Sequence, residues 1–463
     1  MNAIRYAIPV VIVVGSTLVE MPDVSSQSFT SRARDPGVRG GPLGAGNAIS
    51  GLTARELAFF MAGQADFADV ETAADGLGPT MNLDTCGGCH AQPAVGGSSP
   101  AVNPQVAFAH TLGARNTLPS FVRRDGPVRE ARFVKNADGS PDGGVHAIFT
   151  IAGRTDAPGC QLAQPDFATQ LAASNVIFRV PTPVFGAGLI EQIPDDTILA
   201  NAAANGALKA PLGIGGRANF QSPGRTVSGQ ANNNGNDGTV ARFGWKAQNK
   251  SLLLFSGEAY NVEMGISNEI FQTERDETPA CQFAPVPNDV LNTEATTPID
   301  ALTAIEKFAV FQRFLAPPTP STDAPGGASS IGRGRSQFST VGCALCHTPT
   351  LRTGNSAVAA LRNRDANLYS DLLVHDMGPG LADGVSQGQA GPSEFRSAPL
   401  WGLGQRIFFL HDGRSSDLID TIQAHSSGSA RAGNASEANA VVDRFNSLSE
   451  GQKQDILNFL RSL

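Results

Sequence analysis

Cys86-Gly87-Gly88-Cys89-His90 and Cys343-Ala344-Leu345-Cys346-His347 are the two stretches on which the reading of this chain turns. In each, two thiols stand about one helical turn apart and a histidine follows directly. That spacing suits one planar group gripped at its edge. The thiols reach the two vinyl groups of one porphyrin and form thioethers, and the adjacent imidazole lies under the ring and binds iron. The string is the attachment signature of c-type haem. A zinc site would instead need Cys/His pairs that close one tetrahedron, and a dithiol redox pair has no use for the histidine. With only six Cys and seven His in 463 residues, chance does not account for two copies.

Working outward, Gly334 and Phe338 stand four apart before the second cluster, and Gly63 and Phe67 stand four apart upstream of the first. Such pairs let the first helix of a cytochrome c fold pack closely on its last; an ordinary amphipathic helix is the other reading. The apolar pattern from Leu52 predicts a helix to about Phe67, and Ile305, Phe308, Phe311, Phe314 and Leu315 predict another over Leu302–Leu315. Pro317, Pro318 and Pro320 stop it, and the Pro/Gly/Ser composition of 317–330 predicts a linker. A second unit opens near Ile331 and closes in a helix started by Ser449, with Gln452 three residues on as a capping box. Between 119 and 240 lie β-branched runs, His146–Ile151 and Val176–Val180, and the loop-like tract Asn232–Gly238. The expected fold is mainly α: two cytochrome c-like haem domains, 51–316 and 331–463, the first carrying a loop- and β-containing insertion at about 119–240. The parallel order of the two units suggests duplication.

Composition narrows the function classes. Thirty-four Lys+Arg against 42 Asp+Glu give a net charge of −8 without basic blocks, which argues against nucleic acid as a partner. Fifty-one Gly and 30 Pro say that much of the chain is loop. Arg5 followed by an apolar run from Ala7 to about Val19 reads as a signal peptide, set at 1–24, with a flexible lead at 25–50; an uncleaved N-terminal anchor is the alternative. Export to the periplasm is the expectation, with no integral membrane domain. Cys160 and Cys281 remain outside the clusters, as a disulfide of an oxidising compartment or as two buried thiols.

The chain resembles the bacterial di-haem cytochrome c peroxidase superfamily, and more closely the di-haem oxidoreductases often labelled thiol oxidoreductases. The resemblance covers most of residues 52–463. It rests on Gly76-Leu77-Gly78-Pro79, Phe243-Gly244-Trp245-Lys246, Asn261-Val262-Glu263-Met264-Gly265, His375-Asp376-Met377-Gly378-Pro379, and Pro399-Leu400-Trp401-Gly402-Leu403-Gly404 leading to His411-Asp412-Gly413-Arg414. It implies a peroxide-reacting N-terminal haem, a C-terminal haem that relays electrons, and a tryptophan between them. Trp245 matches that tryptophan, with core packing as its other reading. Glu263 matches the distal acid/base, although the superfamily's Asn-Pro-x-Glu-Met-Gly has lost its proline and one residue here; a helix-surface or Ca²⁺-shell carboxylate is the alternative.

By the same resemblance His90 and His347 are the proximal iron ligands, held beside Cys86, Cys89, Cys343 and Cys346. His425 stands where the superfamily places an axial methionine, either as a second ligand or as a hydrogen-bonding surface residue. His110 falls near a distal histidine position of the first haem, against a simple turn; Met264, His146 and Met377 are weaker candidates, and His411 is expected to be structural. The implied partners are a small redox protein or quinol-linked donor and a small-molecule oxidant. A non-enzymatic electron carrier, or haem-dependent oxidation of an organic or protein substrate, are the competing functions. Ca²⁺ between the domains is familiar in the superfamily, but the sequence offers no EF-hand or other acidic loop for it.

Overall fold

Three capping boxes set the starts of the principal helices. Thr53 and Glu56 open α1 (Ala54–Ala68), Thr303 and Glu306 open a helix at Ala304–Phe314, and Ser449 and Gln452 open one at Glu450–Ser462. In each the hydroxyl accepts the third backbone N–H while the Glu or Gln returns to the cap N–H, so two orphan donors are satisfied together. In chain order the elements that matter are α1, α2 (Leu252–Met264), α3 (Ala304–Phe314), α4 (Gly327–Val341), α5 (Leu418–Ala424), α6 (Asn439–Asn446) and α7 (Glu450–Ser462). The computed structural model describes residues 32–220 and 239–463, with the backbone of the short strands at 226–227 and 230–231. The expected signal peptide at 1–24 and the tract Asn232–Gly238 lie outside the described residues.

Two helix pairs form as the Gly/Phe spacing anticipates. α1 packs on α3, where a Cβ at Gly63 would stand 2.3 Å from the carbonyl oxygen of Lys307. Phe67 closes that contact, its ring 5.0 Å from Phe311 and 5.8 Å from Phe308. α4 packs on α7, where a Cβ at Gly334 would stand 1.9 Å from the carbonyl oxygen of Asp455. Phe338 meets Phe459 there at 5.4 Å. A glycine is required at both points because two backbones touch with no room for a side chain.

The linker is shorter than its composition suggests. Helix α4 already begins at Gly327, and Ser330 lies inside it. The reason is tertiary: the Ser330 hydroxyl donates to Asp455 at 2.6 Å and accepts from the Asn458 amide at 2.9 Å, so docking on α7 overrides the weak helix propensity of Gly and Ser. The lead expected to be flexible is likewise held from Ala33 onward. Asp35 pairs with the buried Arg461 at 2.6 Å, and Ile49 N–H donates to Phe314 at 2.7 Å. From Ala33 the chain forms one compact unit.

The β-branched runs of the insertion become a small antiparallel sheet, with β1 (Glu130–Phe133) between β2 (Val145–His146) and β3 (Val176–Arg179). Glu130 and Arg132, two apart, share one face, and Arg179 stands directly across from Glu130. Phe149–Thr150 pairs instead with Thr80–Met81, ahead of the first cluster. Two further strands, β4 (Val374–Asp376) and β5 (Glu394–Arg396), pair antiparallel. Cys160 and Cys281 are joined as a disulfide that ties the insertion to the segment after α2.

Gly63→Ala and Gly334→Ala each cost about 1–3 kcal/mol of stability through overpacking. Gly332→Ala, in the same helix as Gly334 but with nothing within 4 Å of its would-be Cβ, instead gains about 0.5–1 kcal/mol. Denaturant midpoints of the three variants against the parent check both signs.

Candidate functional site: two cavities sharing one tryptophan

Each Cys/His cluster opens a cavity. Cys86–Cys89 forms one short helical turn, and His90 caps it with its N–H on the Cys86 carbonyl. The His90 ring lies edge-on to Phe67 of α1 at 5.7 Å, and its Nδ1 donates to the Gly97 carbonyl at 3.0 Å. In the second cluster His347 Nδ1 donates to the Tyr369 carbonyl at 3.1 Å. A carbonyl only accepts, so Nδ1 carries the proton and Nε2 keeps a free lone pair. Burial holds both rings neutral, His90 and His347 each lowered to about 4; His425 close to His347 adds to the second shift. The four thiols are free, and burial pushes Cys343 up to about 12.

The second cavity is lined mostly by apolar side chains of α4–α7 and the loop to α5. His425 shares it with His347. It sits at the C-terminus of α5, and its Nδ1 donates to Thr421 one turn back at 2.7 Å, leaving Nε2 free as in the other two rings. His375 lines the same cavity but both its nitrogens are taken, Nε2 by Asp371 at 3.0 Å and Nδ1 by Glu437 at 2.7 Å. It has no lone pair to offer a metal. His411 stacks on Phe395 at 4.3 Å and lies edge-on to Trp245 at 6.4 Å.

The first cavity has a different chemistry. Its wall carries Glu130, Arg132 and Arg179 from the insertion sheet, and Glu258 and Glu263 from α2. Arg132 Nε bonds Glu130 at 2.7 Å, and Arg179 pairs with Asp383 at 2.7 Å. Burial, reinforced by the neighbouring Glu130 and Glu258 and opposed by Arg132, lifts Glu263 to about 8. The structure does not bring His110 here: it is exposed beside a 3₁₀ turn and absent from the cavity wall. His146 is also elsewhere, bonded to Asp142 at 2.7 Å and stacked on Phe133 at 3.6 Å. Met264 does line the cavity, its Sδ 3.6 Å from Cys86 Sγ.

Trp245 belongs to both walls. Its indole N–H donates to the Val180 carbonyl at 3.0 Å, fixing the ring between the two spaces. Sequence reasoning did not single out the arginines. Arg179 meets Asp383 across 204 positions, and Arg396, buried, and Arg406, half-buried, line the second cavity, each lowered to about 10 by desolvation. No local pattern marks such residues.

Residues 129–463 match the family described as "Di-haem oxidoreductase, putative peroxidase". The chain belongs to the di-haem oxidoreductase family. The match includes the second cluster, Trp245 and Glu263; the first cluster precedes it. The family carries two haem groups, and the two cavities fit them. Each offers a neutral imidazole with a free Nε2, two thiols beside it and buried guanidinium groups suited to carboxylate side arms.

No curated protein matches this chain in sequence. Among solved structures it is similar to the Kuenenia stuttgartiensis hydrazine synthase pressurised with xenon (18% identity, TM-score 0.24, covering 36% of this chain and 56% of that one). It is similar also to a MauG-like protein associated with microbial copper homeostasis (20%, 0.25, 37% and 55%) and to the diheme peroxidase BthA from Burkholderia thailandensis E264 (15%, 0.28, 48% and 65%). This chain therefore spans between 55% and 65% of the length of those proteins. Among the described residues no group of three or more His, Cys, Asp or Glu suits a metal ion, and no helix is long and apolar enough to cross a membrane.

Glu263 makes stability depend on pH. Its folded value near 8 stands above the ordinary 4.5, so the unfolded carboxyl ionises first, and stability falls as pH rises from about 4.5 to 8. Glu263→Gln flattens that decline, measured as unfolding midpoints across the interval.

Proposed function

We propose that this di-haem oxidoreductase is an exported enzyme that reduces peroxide in the first cavity with electrons delivered through the second. In this reading each helix pair with its cluster is one haem-binding unit, and the haems are attached covalently through Cys86 and Cys89 and through Cys343 and Cys346. The observation that supports it is the asymmetry of the cavities. The second gathers His347 and His425, each with Nδ1 held by a backbone carbonyl, beside a third neutral imidazole, His411, among mostly apolar walls; the first has His90 as its one histidine, facing carboxylates and guanidinium groups.

When bound, the haems supply redox-active iron. The protein supplies the rest. His347 and His425 are the residues that would hold the second haem, and a pair of imidazole ligands would suit it to electron relay at a lower reduction potential than a His/Met pair. Trp245, in both walls, is the side chain the two cavities share. Glu263 is protonated at neutral pH, so it can give its proton to the departing oxygen of a peroxide, and the Arg132 guanidinium stabilises the charge that follows. Peroxide, two electrons and two protons yield two waters. Export is supported by the N-terminal apolar run and by the Cys160–Cys281 disulfide, which belongs in an oxidising compartment. Physiological donors of the proposed kind are a small redox protein or a quinol-linked carrier. Ca²⁺ forms no part of the proposal.

The holoprotein should show one low-spin and one high-spin centre in the oxidised state, read by electron paramagnetic resonance beside a peroxide assay. Glu263→Gln lowers kcat/KM for peroxide by about 10²–10⁴, and His425→Ala converts the low-spin centre to high spin. Two centres that stay low-spin, with no peroxide consumed, would establish the electron-carrier function instead.

A further inference from the structure

Tyr260 is buried in α2, 4% exposed, and its phenol donates a hydrogen bond to Glu71 Oε1 at 2.8 Å. Helical spacing puts it on the face of α2 that also carries Glu263 and Met264, three and four residues on. Met264 Sδ is 3.6 Å from Cys86 Sγ, so the phenol lies one turn from the attachment edge of the first cavity. A chain of edge-on rings also joins it to the proximal imidazole: Tyr260 to Phe308 at 5.1 Å, Phe308 to Phe67 at 5.8 Å, Phe67 to His90 at 5.7 Å. On its other side Glu71 is half-buried and surrounded by Asp66, Asp69 and Asp75, which add to burial in lifting it to about 7.

A buried phenol needs a hydrogen-bond partner, but a backbone carbonyl or hydroxyl would serve. A carboxylate there carries a desolvation cost that packing does not explain. We propose that Tyr260 and Glu71 are a proton-coupled redox pair that yields one electron to the first cavity. The inference rests on the peroxide reading above. In the step, the phenol O–H bond breaks, its proton passes to Glu71 Oε1 to give a carboxylic acid, and its electron goes to the haem site oxidised by peroxide, leaving a tyrosyl radical. The pair thus drains an oxidising equivalent when the second cavity has no electron to give.

The test mixes fully oxidised holoprotein with hydrogen peroxide, freezes it, and records electron paramagnetic resonance while residual peroxide is assayed. The chain has three tyrosines, Tyr6, Tyr260 and Tyr369, so assignment is direct. A tyrosyl signal is expected in the parent, sharpened by ring-deuterated tyrosine, retained in Tyr369→Phe, lost in Tyr260→Phe, and reduced several-fold in Glu71→Gln. Both variants at the pair must retain two haems by absorbance. Should Tyr260→Phe fail to fold, loss of the signal in Tyr369→Phe overturns the inference. Peroxide consumed without a tyrosyl signal, or with one unchanged in Tyr260→Phe, overturns it as well while leaving the peroxidase reading intact. No peroxide consumed overturns that reading, and this inference with it.

Discussion

A hydrogen bond from imidazole Nδ1 to a backbone carbonyl is the constraint on which the two sites depend. His90, His347 and His425 each make it, to Gly97, Tyr369 and Thr421. The bond fixes the tautomer, orients the ring and leaves Nε2 as the only lone pair, while burial keeps the ring uncharged. Had any of these histidines met a carboxylate at Nδ1 and another at Nε2, as His375 does, it would be an imidazolium with nothing to donate to iron. Whether a buried histidine of this molecule keeps a lone pair is therefore decided by the second partner of its ring.

The helix pairs supply the rigidity behind those bonds. Gly63 and Gly334 let backbones touch, and Phe67 and Phe338 then stand against the proximal rings, at 5.7 Å from His90 and 6.3 Å from His347. The same scaffold is used twice with opposite surroundings. Around the second pair the walls close with Leu, Val, Ile and Phe, and around the first the insertion sheet inserts a row of charge. Desolvation beside Glu130 and Glu258 raises the Glu263 carboxyl well above the ordinary carboxylate range.

Local signals are legible in the chain itself. The Cys/His clusters are five-residue motifs, the capping box at Ser449 spans four, and the Gly/Phe pairs span five, all within the reach of one or two helical turns. Two of the three strands in the insertion's sheet, Val145–His146 and Val176–Arg179, lie at β-branched runs, whereas the central one, Glu130–Phe133, carries no such signal. Where composition misleads, a distant partner is responsible: the linker shortens because Ser330 finds Asp455 and Asn458, and the lead is ordered because Asp35 finds Arg461. His110 has the right distance from His90 along the chain but emerges at a 3₁₀ turn facing outward.

The sequence by itself determined the two Cys-x-x-Cys-His clusters, the helices that frame them and the family, because those are properties of short spacings and of strings of residues. Tertiary structure alone decided that Trp245 lines both cavities, that His425 shares a cavity with His347, that Glu263 is enclosed with two other carboxylates, and that Tyr260 meets Glu71 across 189 positions. Those facts depend on burial and on contacts between remote segments, and neither has a signature in any local stretch of chain.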